Sequence, residues 1–325
     1  MTDGQGRSID YLRLSVTDRC NLRCVYCMPP EGVAWTPHGD ILSYEEILRL
    51  CRLFARLGVR KVRLTGGEPL TRKGLPALVK GLHAIEGIEE LAMTTNGVGL
   101  ARALPALRRE GLTALNLSLD TLDRGQYAAI TRRDALEDAL AGLSAALAEP
   151  GLRVKLNCVP MGENDAQLVP LAALARDYPL AVRFIELMPI GLGRTLPRRS
   201  EAEVLARLER AFGPALPCSQ GGGSGPGYYV TFAGFRGRVG FISALSHPFC
   251  TGCNRVRLTA SGFLKTCLQY DAGVDLRALL RGGASDAQLL EAMREAIRQK
   301  PPRHHFGSGG CGTSDERRNM NEIGG

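Results

Sequence analysis

The chain has 325 residues, 44% hydrophobic and 23% charged, with a mean hydropathy of −0.07, a balance that fits one large or two smaller globular domains and excludes disorder and fibre. No run of about 18 uncharged apolar residues occurs, and residues 1–7 put no apolar stretch behind a basic start, so the expectation is a cytoplasmic protein without a membrane partner. In that compartment ten cysteines point to metal or catalysis rather than disulfides. The formal charge of +8, built on 35 arginines and only 6 lysines, favours a phosphorylated small molecule or a nucleic acid as partner, although a merely basic solvated surface carries the same charge.

In chain order, residues 11–16, 61–65, 91–95, 114–119, 153–159 and 181–187 form short β-like runs. Between the first two, Ser43-Tyr44-Glu45-Glu46 reads as a capping box, followed by Ile47, Leu50, Cys51, Phe54 and Leu57 at helical spacing and then Gly58. Further helical runs at 75–85, 101–110, 135–147 and 166–176 complete about six βα units. That number predicts an incomplete (β/α)6 barrel, with a doubly wound open sheet as the alternative, because a full barrel has eight units. After a helix at 202–212 the texture changes. Residues 219–227 are too glycine-rich for helix or strand, 228–232 and 238–242 resemble paired strands, and 285–299 resembles a capped helix stopped by Pro301-Pro302. The expected division is therefore a barrel at 1–215 and a smaller α+β domain at 216–325.

Directly after the first strand lies Cys20-x3-Cys24-x2-Cys27. Four cysteines normally hold a [4Fe–4S] cluster, so three on one loop leave an iron open to a non-protein ligand. A loop after a barrel strand also lies on the face where such barrels keep their active sites. A second triplet, Cys250-x2-Cys253-x13-Cys267, reads equally as iron–sulfur or as a zinc ribbon completed by His247, His304, His305 or Cys311. The first triplet favours iron–sulfur. Cys51, on an apolar helical face, reads as packing, and Cys158, Cys218 and Cys311 have no partners in the spacing.

With Tyr26 before the third cysteine and Gly66-Gly67-Glu68-Pro69 after the second strand, the chain resembles radical S-adenosylmethionine enzymes. Within them, Cys250 to Cys267 with Asn254-Arg255-Val256-Arg257-Leu258-Thr259 and the terminal Gly324-Gly325 resemble the branch that cyclises GTP at the first step of molybdenum cofactor biosynthesis. The resemblance implies two [4Fe–4S] clusters, on Cys20, Cys24, Cys27 and on Cys250, Cys253, Cys267. It also implies S-adenosylmethionine contacts from Tyr26, Gly67, Ser118 and Met188, and GTP contacts from Arg13, Arg63, Thr94, Lys155, Arg255 and Arg257. Gly324 and Gly325 would form a tail inserted into the active site. The reaction implied is radical conversion of GTP to (8S)-3′,8-cyclo-7,8-dihydroguanosine 5′-triphosphate. Its expected partners are an external one-electron donor and a downstream cyclic pyranopterin synthase; no nucleic acid is expected, and a homodimer is compatible. The other classes considered are a radical enzyme acting on a peptide and a zinc-dependent nucleic-acid-binding protein. Arg255 and Arg257 suit phosphate better than a peptide backbone, and no basic run is interleaved with aromatics as single-strand binding would ask.

Overall fold

The computed structural model describes residues 1–34, 36–218, 227–306 and 315–324. Except for Gly227, the expected glycine-rich loop lies outside the described residues, as do Cys311 and Gly325. Six strands, β1 (Tyr11–Ser15), β2 (Lys61–Thr65), β3 (Glu90–Thr95), β4 (Ala114–Ser118), β5 (Arg153–Cys158) and β6 (Ala181–Ile185), pair in parallel in chain order. The crossovers carry α1 (Tyr44–Arg56), α2 (Leu75–His83), α3 (Leu100–Arg109), α4 (Arg124–Thr131), α5 (Leu136–Ala148) and α6 (Leu168–Asp177). A doubly wound sheet reverses its strand order partway. This one does not, and it is the incomplete barrel.

Period-2 alternation gives the barrel two chemically different faces. Leu12, Leu14, Val62, Leu64, Met93, Leu115, Leu156 and Val182 are buried in one core with Ile47, Leu50, Cys51 and Phe54 of α1. The alternate positions, among them Arg13, Arg63, Thr94, Asn116, Lys155 and Arg183, line a cavity on the other face. Full barrels fill that interior with branched apolar side chains. Here it is polar and open to a ligand.

The chain after 215 continues the same sheet. β9 (Arg238–Ile242) joins β6 in parallel, and β10 (Arg255–Leu258) joins β1 in parallel, with Tyr11 opposite Arg255 and Arg13 opposite Arg257. Antiparallel additions extend each side: β8 (Tyr228–Thr231) and β7 (Leu216–Pro217) beyond β9, β11 (Phe263–Lys265) and β12 (Gly273–Asp275) beyond β10. The ends β12 and β7 do not pair with each other among the described residues, so the barrel stays unclosed. Helix α7 (Glu201–Phe212) follows β6; α8 (Leu276–Arg281), α9 (Asp286–Arg298) and the short α10 (Met320–Ile323) complete the chain. No helix among the described residues is long and apolar enough to cross a membrane.

Candidate active site

The first cysteine loop is fixed from two sides. On one, the Gly66-Gly67-Glu68 turn donates Gly67 N to Thr17 O at 2.8 Å and Glu68 N to Arg19 O at 2.8 Å. A Cβ on Gly67 would sit 2.3 Å from Arg19 O, so only glycine permits this approach. The Glu68 carboxylate accepts from Leu70 N, Thr95 Oγ1 and Asn96 N, and burial outweighs those bonds to raise its pKa to about 7. On the other side, Arg23 N and Val25 N donate to Thr131 O and Ile130 O at the end of α4. Arg132, a left-handed residue with φ of 55°, donates Nη1 to Arg23 O at 3.0 Å and Met28 O at 2.9 Å.

Burial pushes the Cys20 thiol up to about 11, Cys27 up to about 12, and Cys24 well above its usual value, and nearby thiols add to the effect at Cys24 and Cys27. Such thiols ask for a cation to stabilise their thiolates. Among the described residues no three His, Cys, Asp or Glu converge as a single metal ion requires. A cubane makes no such demand, since each thiolate binds its own iron, so this loop fits a cluster with one iron left open.

The cavity, of about 270 Å³, is lined by Cys20, Cys24, Cys27, Tyr26, Gly67, Ser118 and Met188. Arg13, Arg63, Thr94, Lys155 and Arg255 line it too. Arg257 lies outside that lining; it is carried on β10 opposite Arg13 and donates to Gly324 O at 2.7 Å. Tyr26 OH donates to Asp120 Oδ2 at 2.8 Å, and burial raises Asp120 to about 6.

Sequence reasoning missed Lys61, Asn116, Asp120, Asn157 and Arg183, which also line the cavity. For the strand residues among them the signal was available: in Lys61-Val-Arg63-Leu-Thr65 and Lys155-Leu-Asn157-Cys158 the polar positions alternate with the apolar ones.

The cationic wall is under electrostatic load. Lys155 is brought down to about 7 by burial and by Arg183, Lys61, Arg63 and Arg238. Arg63 Nη1, Arg183 Nε, Thr65 Oγ1 and Thr94 Oγ1 are buried without hydrogen-bond partners. Unpaired buried donors cost about 1–3 kcal/mol each, more when charged, and an anion with many oxygens satisfies several at once. Within the wall Lys61 is paired with Glu90, and the Tyr11 hydroxyl accepts from Arg63 Nε. Burial raises its pKa, but Arg63, Arg13 and Lys61 together lower it to about 7.

The second triplet lies outside the cavity lining. Cys250 opens a single helical turn that Cys253 caps ahead of β10, and Cys267 follows β11. Burial raises the Cys253 thiol, but Lys300 and Arg255 hold it below its usual value. Of the histidines considered as a fourth ligand, His247 is exposed beside Glu201 and His305 pairs with Asp315. His304 N lies 3.5 Å from Cys250 Sγ. The tail, meanwhile, enters the cavity: Met320 and Asn321 line it, and Gly324 packs where a Cβ would lie 3.0 Å from Ser15 Cβ and Thr65 Oγ1.

Comparison with known proteins matches residues 14–175 to the Radical SAM superfamily and residues 180–306 to Molybdenum Cofactor Synthesis C. A protein of Pelotomaculum thermopropionicum named GTP 3′,8-cyclase is 48% identical over 333 residues, covering 100% of both chains. The chain belongs to the GTP 3′,8-cyclase family. The family protein of Moorella thermoacetica is 44% identical, again over 100% of each chain. Among solved structures, Streptococcus suis SuiB bound to S-adenosylmethionine matches with a TM-score of 0.58 at 16% identity, covering 90% of this chain and 68% of that one. That likeness concerns the fold alone.

Proposed function

We infer that the chain cyclises GTP to (8S)-3′,8-cyclo-7,8-dihydroguanosine 5′-triphosphate, the first step of molybdenum cofactor biosynthesis, by radical chemistry. The observation that carries this reading is that three thiols at the strand ends and a wall of cations on the strands open into one cavity. Cys20, Cys24 and Cys27 would hold a [4Fe–4S] cluster with an open iron, and Tyr26, Gly67, Ser118 and Met188 would seat S-adenosylmethionine beside it. When bound, cluster and S-adenosylmethionine supply a 5′-deoxyadenosyl radical that removes the ribose 3′ hydrogen, after which the sugar carbon bonds to guanine C8.

The residues of the chain hold GTP for that reaction. Arg13, Arg63, Lys155 and Arg183 present charge to the triphosphate, which offsets the desolvation their burial costs, while Thr94 adds a neutral donor. Arg255 lines the cavity from β10, and Arg257, outside that lining, would reach the ligand from the same strand, so the segment that carries them also carries Cys253. A second cluster on Cys250, Cys253 and Cys267 would then stand on the guanine side of GTP. The tail residues Met320, Asn321 and Gly324 narrow the mouth and keep water from the radical. Each turnover consumes two electrons and a proton, one electron to cleave S-adenosylmethionine and a second, with the proton, to quench the radical left on the ring after the C–C bond forms, so an external one-electron donor must supply both, and a cyclic pyranopterin synthase would take the product.

The test is anaerobic incubation with dithionite, S-adenosylmethionine and GTP, followed by mass spectrometry of the products. The expected result is GTP-dependent 5′-deoxyadenosine together with a compound isomeric with GTP. Release of 5′-deoxyadenosine unaffected by GTP, with GTP recovered unchanged, overturns the reading.

A further inference from the structure

Lys300, two residues beyond α9, is buried, with 4% of its surface exposed. Lysine is almost never buried this deeply without a partner, yet Lys300 forms no ion pair among the described residues. Its Nζ donates to Arg255 O at 3.0 Å and to Thr266 O, and its charge lowers the pKa of the nearby Cys253 thiol. Those acceptors account for two of the three N–H groups of an ammonium. They belong to the two segments that bear the later cysteines: Cys253 lies two residues before Arg255, and Cys267 follows Thr266.

The peptide beyond Lys300 is fixed separately. Arg7 donates to Pro301 O at 2.7 Å, Pro302 O at 2.9 Å and Cys250 O at 2.9 Å, with its own charge answered by Asp3 at 2.7 Å. Arg7 is thus a neutralised clip on the same site. Lys300 carries a net charge into it.

We propose that Lys300 is a positioning residue for the second iron–sulfur cluster, joining the Cys253 and Cys267 segments and supplying the positive charge that stabilises the cluster's reduced form. This rests on the two-cluster reading above. A buried ammonium beside thiolates acts like the hydrogen bonds and charges that set cluster potentials elsewhere. It also explains why no carboxylate among the described residues meets Lys300, since the thiolate-bound cluster would be its counter-charge.

The experiment compares reconstituted wild type with Lys300→Met and Lys300→Arg by iron content and by redox titration followed by electron paramagnetic resonance. S-adenosylmethionine is added to mark the first cluster's signal. Wild type should hold about eight irons, with one signal that S-adenosylmethionine does not alter. At a fixed potential, Lys300→Met should raise that cluster's oxidised-to-reduced ratio about tenfold, a lowering of about 59 mV for one electron, while Lys300→Arg stays near wild type.

If Lys300→Met loses the second set of irons, retention of irons and potential in Lys300→Arg supports the proposal, and loss in both overturns it. An unchanged potential in a fully loaded Lys300→Met overturns the role of Lys300 alone. About four irons in wild type overturns the two-cluster reading and the proposal with it.

Discussion

At the scale of single residues, the cavity is a set of groups whose charges wait for an anion. Tyr11 and Lys155 both sit near neutrality, at about 7. A bound triphosphate favours protonated Lys155 and neutral Tyr11, so it raises both pKa values and its binding takes up protons. Affinity is therefore flat below pH 7 and falls as pH rises through it, by up to about tenfold per pH unit for each group that titrates. Calorimetry of GTP binding between pH 6 and pH 9, in buffers of different ionisation enthalpy, should show this uptake. Lys155→Arg should reduce it, leaving the share of Tyr11; an unchanged pH profile would separate Lys155 from the triphosphate. Arg255→Ala tests the same wall from β10. Loss of a charge-assisted phosphate contact costs about 1.5–3 kcal/mol, so GTP binding should weaken by roughly one to two orders of magnitude, with S-adenosylmethionine binding nearly unchanged. Equal loss of both ligands would point to misfolding of the β10 segment instead.

Among the elements, the βα units were legible because they carry local signals. The Ser43 capping box forms, the helix expected at 285–299 is capped by Ser285, and the first six strands differ from the expected runs only at their ends. Helix α4 was not anticipated: its buried face consists only of Tyr127, Ile130 and Thr131, too little to set a helical period. Strand β10 escaped for a different reason. Its Arg-Val-Arg-Leu run is short, and the partner that makes it a strand is β1, about 240 residues away in sequence, a pairing no local pattern announces. Hence the sheet appeared to change character after 215 when it continues. The Gly66-Gly67-Glu68 turn was legible as a motif, but its packing against Thr17 and Arg19 was not, and that packing yields a prediction. A methyl group on Gly67 would press on the peptide just before Cys20, so Gly67→Ala should lower iron retention at the first triplet as well as S-adenosylmethionine affinity. Iron analysis of Gly67→Ala in a Cys253→Ala background, where only the first triplet is complete, measures this directly. Wild-type iron content with lost affinity would confine Gly67 to the ligand.

Across the whole molecule, residues 315–324 form a strap that enters the cavity of the unclosed barrel. The strap starts at Asp315, which bridges to Tyr270, and at Glu316, which is buried between Lys265 and Arg318. Arg318 and Lys265 hold Glu316 at about 2, against the opposing effect of burial, so this anchor stays charged at any working pH. From there Asn321 Nδ2 donates to Asp18 O at 3.2 Å and Arg257 holds the Gly324 carbonyl. The tail is thus bound at both ends, and its inner end engages an arginine expected to meet GTP. A frayed terminus would have neither attachment. Deleting residues 324 and 325 removes the acceptor that Arg257 holds while sparing the Glu316 anchor, the cysteines and the residues proposed to seat S-adenosylmethionine. Gly324→Ala keeps the length but adds a Cβ beside Ser15 and Thr65 at a residue whose φ is 77°. Both variants should keep wild-type iron content and melting temperature, and both should still cleave S-adenosylmethionine. Misplaced substrate and admitted water should instead appear as uncoupling, with cyclic product per 5′-deoxyadenosine falling about tenfold or more. If both variants couple as wild type does, the tail is a structural end that happens to rest in the cavity, and Arg257 needs no help to orient.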